Sequence, residues 1–454
     1  MRCLLLLLAC SYALTLSAQT SPFQFGNMVV ANDALTNVWT VDVAIDELAK
    51  IARKAPPEFQ GQKSKAVVQL PLPSGDFAEF SIYNSPVLSN HPELGSYKLV
   101  GPWGSGRMAV SATKISVVAL GPKGYFVVDA LPETPGKYQV SQLSDFMDVD
   151  LGGILSCGAP TNNGPQFYGN SNVNNISVEN AGAKNRQKAG NVAQPLRVYD
   201  LAVTCTGEFG TTFGGTRELV RDAFNVVFNA INTVYENELG IRLLLIDQPG
   251  LIYLDGDTDP YANPTSTGGL LGQVLNAFQI NNVPPTAYDI GHILTVGCDE
   301  GQGLFVAGTA ATGSACMASR TQAATCVVGG NLVRTAMGTM AHEIAHQFDV
   351  SHSWSNCPPV QNQRASETAF EPGGGITIMS YSSACGNQNY FEGPERLPGE
   401  NYFHVGSLEQ FFFFSREGGA SNCPTIIPTD NLTPEVAFDY VDDFSIPIGT
   451  PFRL

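Results

Sequence analysis

The sequence predicts an α/β fold, a mixed β-sheet with helices packed on it, preceded by a smaller, mainly β unit. Three observations carry this expectation. From residue 196 onward, strand-like apolar runs alternate with stretches of helical periodicity, the pattern of a sheet covered by helices. Before residue 150 the apolar runs are short and β-like, with Pro and Gly turns between them. Between the two, residues 152–194 turn to Asn, Gly and Ser with little apolar periodicity, which divides the 454-residue chain into two folded units.

Taken in order, Met1-Arg2, an apolar run over 3–16 and Ser17-Ala18 read as a secretory signal peptide, residues 1–18. The run is short of the roughly 20 apolar residues that span a bilayer. No later stretch qualifies, the run 411–414 being far too brief, so the expectation is an exported protein without membrane insertion. Residues 19–150 form the first unit, with strands expected at 67–73, 80–83 and 115–120. It holds no cluster of histidines, cysteines and acids that could make a catalytic site. Residues 151–195 read as a linker and processing region, and Lys184, Arg186 and Lys188 are its only basic cluster.

Residues 196–424 form the second unit. A strand is expected at 196–204. Gly214-Gly215-Thr216 opens a helix running to about Leu239, with apolar residues at 219, 220, 223, 224, 227, 231 and 234. Gly240 ends it. A strand at 241–246, a helix at 270–278, a strand at 290–296 and helices at 334–348 and 408–414 follow. Beyond Cys423 the chain turns to Pro, Thr and Asp, and residues 425–454 read as a tail.

The net charge of −17 argues against nucleic acid and anionic membranes as partners and suits a soluble exported protein. Of ten cysteines, Cys3 and Cys10 leave with the signal. The other eight are 157, 205, 298, 316, 326, 357, 385 and 423, an even number that suggests disulfides in an exported chain. Asp255-Gly256-Asp257-Thr258-Asp259 lacks the distal Glu of a calcium loop and reads as an acidic turn, so calcium is unsupported.

The chemistry is concentrated in His342-Glu343-Ile344-Ala345-His346-Gln347-Phe348-Asp349-Val350-Ser351-His352. On a helix His342 and His346, four apart, project from one face at metal-binding distance. His352 follows after a turn. Three neutral imidazoles and a water make an open tetrahedral zinc site, the catalytic rather than the structural arrangement. Glu343 is the candidate general base and acid. Three unrelated histidines are the plain alternative, which this spacing makes hard to sustain.

This run resembles the zinc-binding motif of the metzincin metallopeptidases, and Thr377-Ile378-Met379-Ser380-Tyr381 resembles their Met-turn. The stretch 197–423 is most similar to reprolysin-like (adamalysin-related) secreted bacterial peptidases, on Tyr288-Asp289-Ile290-Gly291-His292, Phe370-Glu371-Pro372-Gly373-Gly374-Gly375 and Tyr402-Phe403-His404. The resemblance implies a metzincin catalytic domain with one zinc ion on His342, His346 and His352. Met379 would be an apolar floor beneath them. Residues 19–150 would be a prodomain that keeps the enzyme latent, and the tail would begin an immunoglobulin-like β module cut short at residue 454. Many metzincins have Gly where this chain has Asp349. Asp tolerates the left-handed geometry that turn needs better than most residues.

Tyr381 stands where some metzincins place a tyrosine near the metal. It is either an oxyanion donor or a packed side chain. Ser156-Cys157-Gly158 resembles a cysteine switch, whose thiolate takes zinc's fourth position, with a Cys157–Cys205 disulfide as the competing reading. Cys357 and Cys385 flank the Met-turn segment, and a bridge between them would pin it. By likeness to adamalysin-type domains, Cys423 would pair with Cys316.

The expected function is that of a secreted, monomeric zinc endopeptidase made as a zymogen, with protein or peptide substrates and its own prodomain as inhibitor. The rival is a metzincin-fold binding or adhesion protein with weak or no catalysis, against which the intact Glu343 argues.

Overall fold

The computed structural model describes residues 21–30, 37–147, 154–157, 194–381, 385 and 401–431, apart from short gaps within them. Residues 1–18 and 158–193, with the basic cluster, lie outside the described residues. So do 432–454, the greater part of the tail.

The N-terminal part is one antiparallel sheet of nine strands. These are β1 (Phe23–Val30), β2 (Asn37–Val43), β3 (Val67–Pro71), β4 (Phe77–Asn84), β5 (Gly95–Val100), β6 (Ser105–Val110), β7 (Ile115–Gly121), β8 (Gly124–Ala130) and β9 (Lys137–Gln142). Their spatial order is β1-β2-β9-β8-β7-β6-β5-β4-β3. Two short helices accompany them, α1 (Ile45–Ala52) and α2 (Leu143–Met147). Alternation along β6, β7 and β8 sends side chains to both faces. Met108, Val117, Ala119 and Val128 join this sheet's own core with Leu70, Phe80 and Ile82. Ala109, Val118 and Val127 instead join the core of the C-terminal part. Strands β6–β8 are therefore buried on both sides, and the sheet is docked rather than free.

The C-terminal part holds a seven-stranded mixed sheet in the order β10-β14-β15-β13-β11-β12, with β16 also pairing β11. The strands are β10 (Ile154–Cys157), β11 (Leu196–Cys205), β12 (Ile241–Leu245), β13 (Ile290–Val296), β14 (Leu304–Ala310), β15 (Ala323–Val327) and β16 (Thr425–Ile427). Helices α3 (Gly207–Thr212), α4 (Arg217–Val234), α5 (Thr267–Leu270), α6 (Val274–Ile280), α7 (Leu332–Thr335), α8 (Ala341–Gln347) and α9 (Val405–Arg416) surround it. The period-2 rule sorts the strands again. Leu201, Val203 and Leu294 face the cluster holding α4 and the α7–α8 segment, whereas Ala202 and Ile293 face α6 on the opposite side. Thr216 caps α4, its side chain accepting from Leu219 N, and left-handed Gly240 stops the π-helical turn that extends it.

Several sequence expectations change here. Residues 154–157 fall in the expected linker but form β10, parallel to β14 with Cys157 opposite Gly308. Residues 425–427, expected to open a separate module, pair antiparallel with Leu196–Val198 of β11, and Asn431 O accepts from Gln194 N. Both segments are recruited by backbone groups that would otherwise lack partners, a demand that side-chain patterning does not display. The expected helix at 270–278 is two pieces, α5 and α6. Strands β14 and β15 were not anticipated. Three disulfides join Cys357 to Cys385, Cys316 to Cys423 and Cys298 to Cys326.

Candidate active site

Helix α7 starts at Asn331, whose side chain accepts from Arg334 N at 2.9 Å. The helix then passes through a π-helical turn at Ala336–Met340 into α8, which carries His342, Glu343 and His346. A Schellman arrangement ends it: Val350 N donates to Ala345 O at 3.1 Å and Asp349 N to His346 O at 2.9 Å. Asp349 takes the left-handed position with φ +66°. The chain can then reverse and bring His352 against His346, ring centroids 4.7 Å apart, as His342 also is.

Each imidazole is held by a backbone carbonyl. Nδ1 of His342 donates to Ile378 O at 2.7 Å, that of His346 to Val350 O at 2.6 Å, and that of His352 to Gln363 O at 2.7 Å. A carbonyl only accepts, so each Nδ1 carries the proton and each Nε2 a lone pair. These lone pairs converge. His346 Nε2 and His352 Nε2 are 3.1 Å apart, and His342 Nε2 is buried with no protein donor. Burial pushes the His342 and His352 pKa down to about 4 and about 3, and His346 well below the usual imidazole range. Three neutral rings with facing lone pairs repel one another unless a cation lies among them, so this donor set fits a metal such as zinc.

Glu343 is fully buried, and burial pushes its carboxyl up to about 8 against the lowering contact from Cys157. The Cys157 thiol donates to Glu343 Oε2 at 3.4 Å, and its sulfur lies within 4.8 Å of the ligand atoms of all three histidines. Cys205 is elsewhere, a buried thiol facing Tyr253 O, so the Cys157–Cys205 bridge is not formed. The Tyr381 hydroxyl donates to Gln363 Oε1 at 2.7 Å, accepts from Cys157 N at 3.1 Å, and lies 3.2 Å from His352 Nε2. Met379 is wholly buried in the cluster that includes Met340, Ile344 and Ala345. The disulfide Cys357–Cys385 packs with Trp354, Tyr381 and Cys157 in one small apolar group.

Two residues here escaped the sequence reading. Gly308 lies so close that a Cβ on it would sit 2.4 Å from Glu343 Cγ. An isolated Gly inside an apolar strand signals such an approach. Glu371 is buried and accepts four bonds. Its Oε1 takes Ile376 N at 2.8 Å and Thr377 N at 3.0 Å, and its Oε2 takes Thr377 Oγ1 at 2.6 Å and Ser353 Oγ. It ties the loop after His352 to the turn carrying Met379. His292 and His404 are apart from the cluster: His292 Nε2 meets Thr325 Oγ1, and His404 caps α9. The acidic turn at 255–259 uses its carboxylates on backbone amides, Asp259 taking Gly207 N and Tyr261 N.

A buried triad of imidazoles beside a glutamate, two of them on a helix and the third returned by the turn after it, fits a metallopeptidase. Residues 195–401 match the model of the reprolysin-like metallo-peptidase family M12B, so this part of the chain is similar to that family. That match implies a metal-dependent hydrolase of proteins or peptides. Among solved structures, metalloproteinase-II from Bacteroides fragilis is similar over 81% of this chain and 95% of its own, at 9% identity and a TM-score of 0.42. No curated protein matches the chain. Among the described residues no helix is long and apolar enough to cross a membrane.

Proposed function

We propose that the protein is a secreted zinc endopeptidase made as a latent precursor, with residues 19–150 as prodomain and catalysis in the unit that begins at 196. The observation that carries this reading is the convergence of three carbonyl-anchored imidazoles beside a buried glutamate. His342, His346 and His352 would hold one zinc ion, which supplies Lewis acidity for a water and for the scissile carbonyl. Glu343 takes the proton of the attacking water and delivers it to the leaving amine. Its low-dielectric pocket, closed on one side by Gly308, keeps the carboxylate basic. Met379 supports the rings from below, and the Tyr381 hydroxyl, once its proton leaves Gln363 Oε1, donates to the oxyanion.

Latency follows from Cys157. Its sulfur lies among the three histidine ligand atoms and its S–H donates to Glu343 Oε2, so one thiol engages both the metal ligands and the base. Strand β10 holds it there by pairing with β14. Secretion is supported by the signal-like residues 1–18 and by three disulfides.

The test is digestion of casein by the processed protein with and without a chelator, which is expected to abolish it. Chelator-resistant digestion, or none at all, overturns the reading. Cys157→Ser precursor should digest without processing, and unchanged latency would sink the role given to the thiol.

A further inference from the structure

The residues that dock the N-terminal sheet lie on α4, the turn after it and β12, and no inhibitory contact between that sheet and the histidines is among the hydrogen bonds of the described residues. Fifteen of the 18 residues of α4 are buried, so the helix is enclosed on every side, part of that cover being the N-terminal sheet. Asn225, Asn229 and Thr233 of this helix find partners there. Asn225 Nδ2 donates to Gly95 O at 3.1 Å, and Asn229 Oδ1 accepts from Ser96 Oγ at 2.9 Å and Arg107 Nε at 3.0 Å. Thr233 Oγ1 donates to Val118 O at 3.2 Å, and Leu245 N to Val87 O at 2.8 Å.

Beyond α4 the interface is ionic and largely buried. The Arg107 side chain is 0% exposed and that of Glu236 3%, and they meet at 2.7 Å. Glu236 also takes Arg242 at 2.6 Å and Lys98 at 2.5 Å, and Arg242 reaches back to Glu58 at 2.9 Å. Apolar Val87, Leu88, Ala109, Val118, Val127 and Leu143 share one core with α4 and β12. Separation would leave Arg107 and Glu236 each without its main partner and would bare a continuous apolar surface. The neighbour of Glu236, Tyr235, donates to Ala341 O at 2.7 Å, directly before His342. The docked surface thus runs into the support of the catalytic helix.

We propose that the N-terminal nine-stranded sheet is a lasting non-covalent partner of the peptidase, staying bound after the chain between residues 158 and 193 is cut, while inhibition resides in the short Cys157 segment alone. This goes beyond latency and rests on the reading of that stretch as the processing region.

The experiment cuts the purified full chain with trypsin at the Lys184–Lys188 cluster, stops the trypsin, and applies the product to gel filtration at neutral pH. The buffer contains about 1 M sodium chloride, where the screening length is only about 3 Å. The two fragments are expected to elute together at the volume of the uncut chain. Separate elution of two folded fragments overturns the proposal. Arg107→Met, cut in the same way, is expected to release the N-terminal fragment. Should that variant fail to fold, hydrogen exchange on the cut wild-type protein decides: amides of β5, β6 and α4 stay as protected as in the uncut chain, and their loss of protection overturns the proposal. Casein digestion on the same samples separates this from the peptidase reading. Separated fragments that digest casein sink only the lasting partnership. Paired wild-type fragments stay latent because Cys157 remains on the N-terminal fragment. Paired Cys157→Ser fragments are instead expected to digest casein, and their failure to do so sinks the zymogen reading alone.

Discussion

The histidine cluster and the Arg107–Glu236–Arg242 cluster are both buried and polar, yet they are completed in opposite ways. Around Glu236 every charge meets its opposite within ordinary contact distance, and Arg107 also spends its guanidinium on Asn229 and Ser85. Around His342, His346 and His352 the Nδ1 sides are fully bonded, but the Nε2 lone pairs face one another. A saturated buried network holds parts together and has nothing left to offer a ligand. A network bonded on its outer side and open on its inner one is rigid where it must be and reactive where it must be. Satisfaction of the last lone pair separates a brace from a reactive site.

The comparison is broken most forcefully at Glu343. Glu343→Gln keeps the shape and removes the base, so turnover should fall by about 10²- to 10⁴-fold while metal content is unchanged. His352→Ala should instead lose metal, read by elemental analysis after dialysis. Wild-type turnover in Glu343→Gln would remove the base from the scheme.

On the saturated side, Arg107→Met leaves Glu236 buried with its strongest partner gone. Breaking a buried pair in this way should cost about 3 kcal/mol of stability in urea unfolding, because Arg242 and Lys98 still cover part of the charge. A change near zero would mean that the network is better solvated than its burial indicates.

The same cluster sharpens the contrast through pH. Burial alone would raise the Glu236 carboxyl, but Arg107, Arg242 and Lys98 outweigh it and hold the group well below the usual carboxylate range. A carboxylate depressed in the folded state adds stability that is present above its unfolded pKa of about 4.3 and is lost as pH falls toward its folded value. Melting temperature should therefore drop as pH falls below about 4, and Glu236→Gln should flatten that drop.

The smallest effect is expected at Glu371, which braces rather than reacts. Glu371→Ala leaves Ile376 N and Thr377 N without their acceptor, for about 1–3 kcal/mol in thermal unfolding. Metal affinity should weaken as well, since the loop after His352 loses its tie to the Met379 turn. An equal loss of stability with metal affinity unchanged would make Glu371 purely structural.

Much of the site was legible because its signals are local. His342 and His346 are four apart on a helix, and helix periodicity is a property of the backbone alone. The left-handed turn at Asp349 was legible for the same reason, since side-chain type and turn geometry meet at one residue. Strands 196–205 and 290–296 and helix α4 announced themselves by apolar spacing. Strands β14 and β15 did not: Leu304–Ala310 and Ala323–Val327 are rich in Gly, Ala and Thr, too small and mixed to stand out as apolar runs.

By itself, then, the sequence determined the elements with strong periodicity, the division of the chain into a β-rich part and an α/β part, and the identity of the three imidazoles and their glutamate. Tertiary structure decided that residues 154–157 add to β14, that 425–427 add to β11, and that the N-terminal sheet sits on α4. It also decided that Gly308 leaves room for Glu343 and that Glu371 joins two loops. The physical reason is common to all of these. Each depends on which distant backbone amides and carbonyls lack a partner, or on how closely two segments can approach. Such demands exist only once the chain has folded and are written in no single stretch of it.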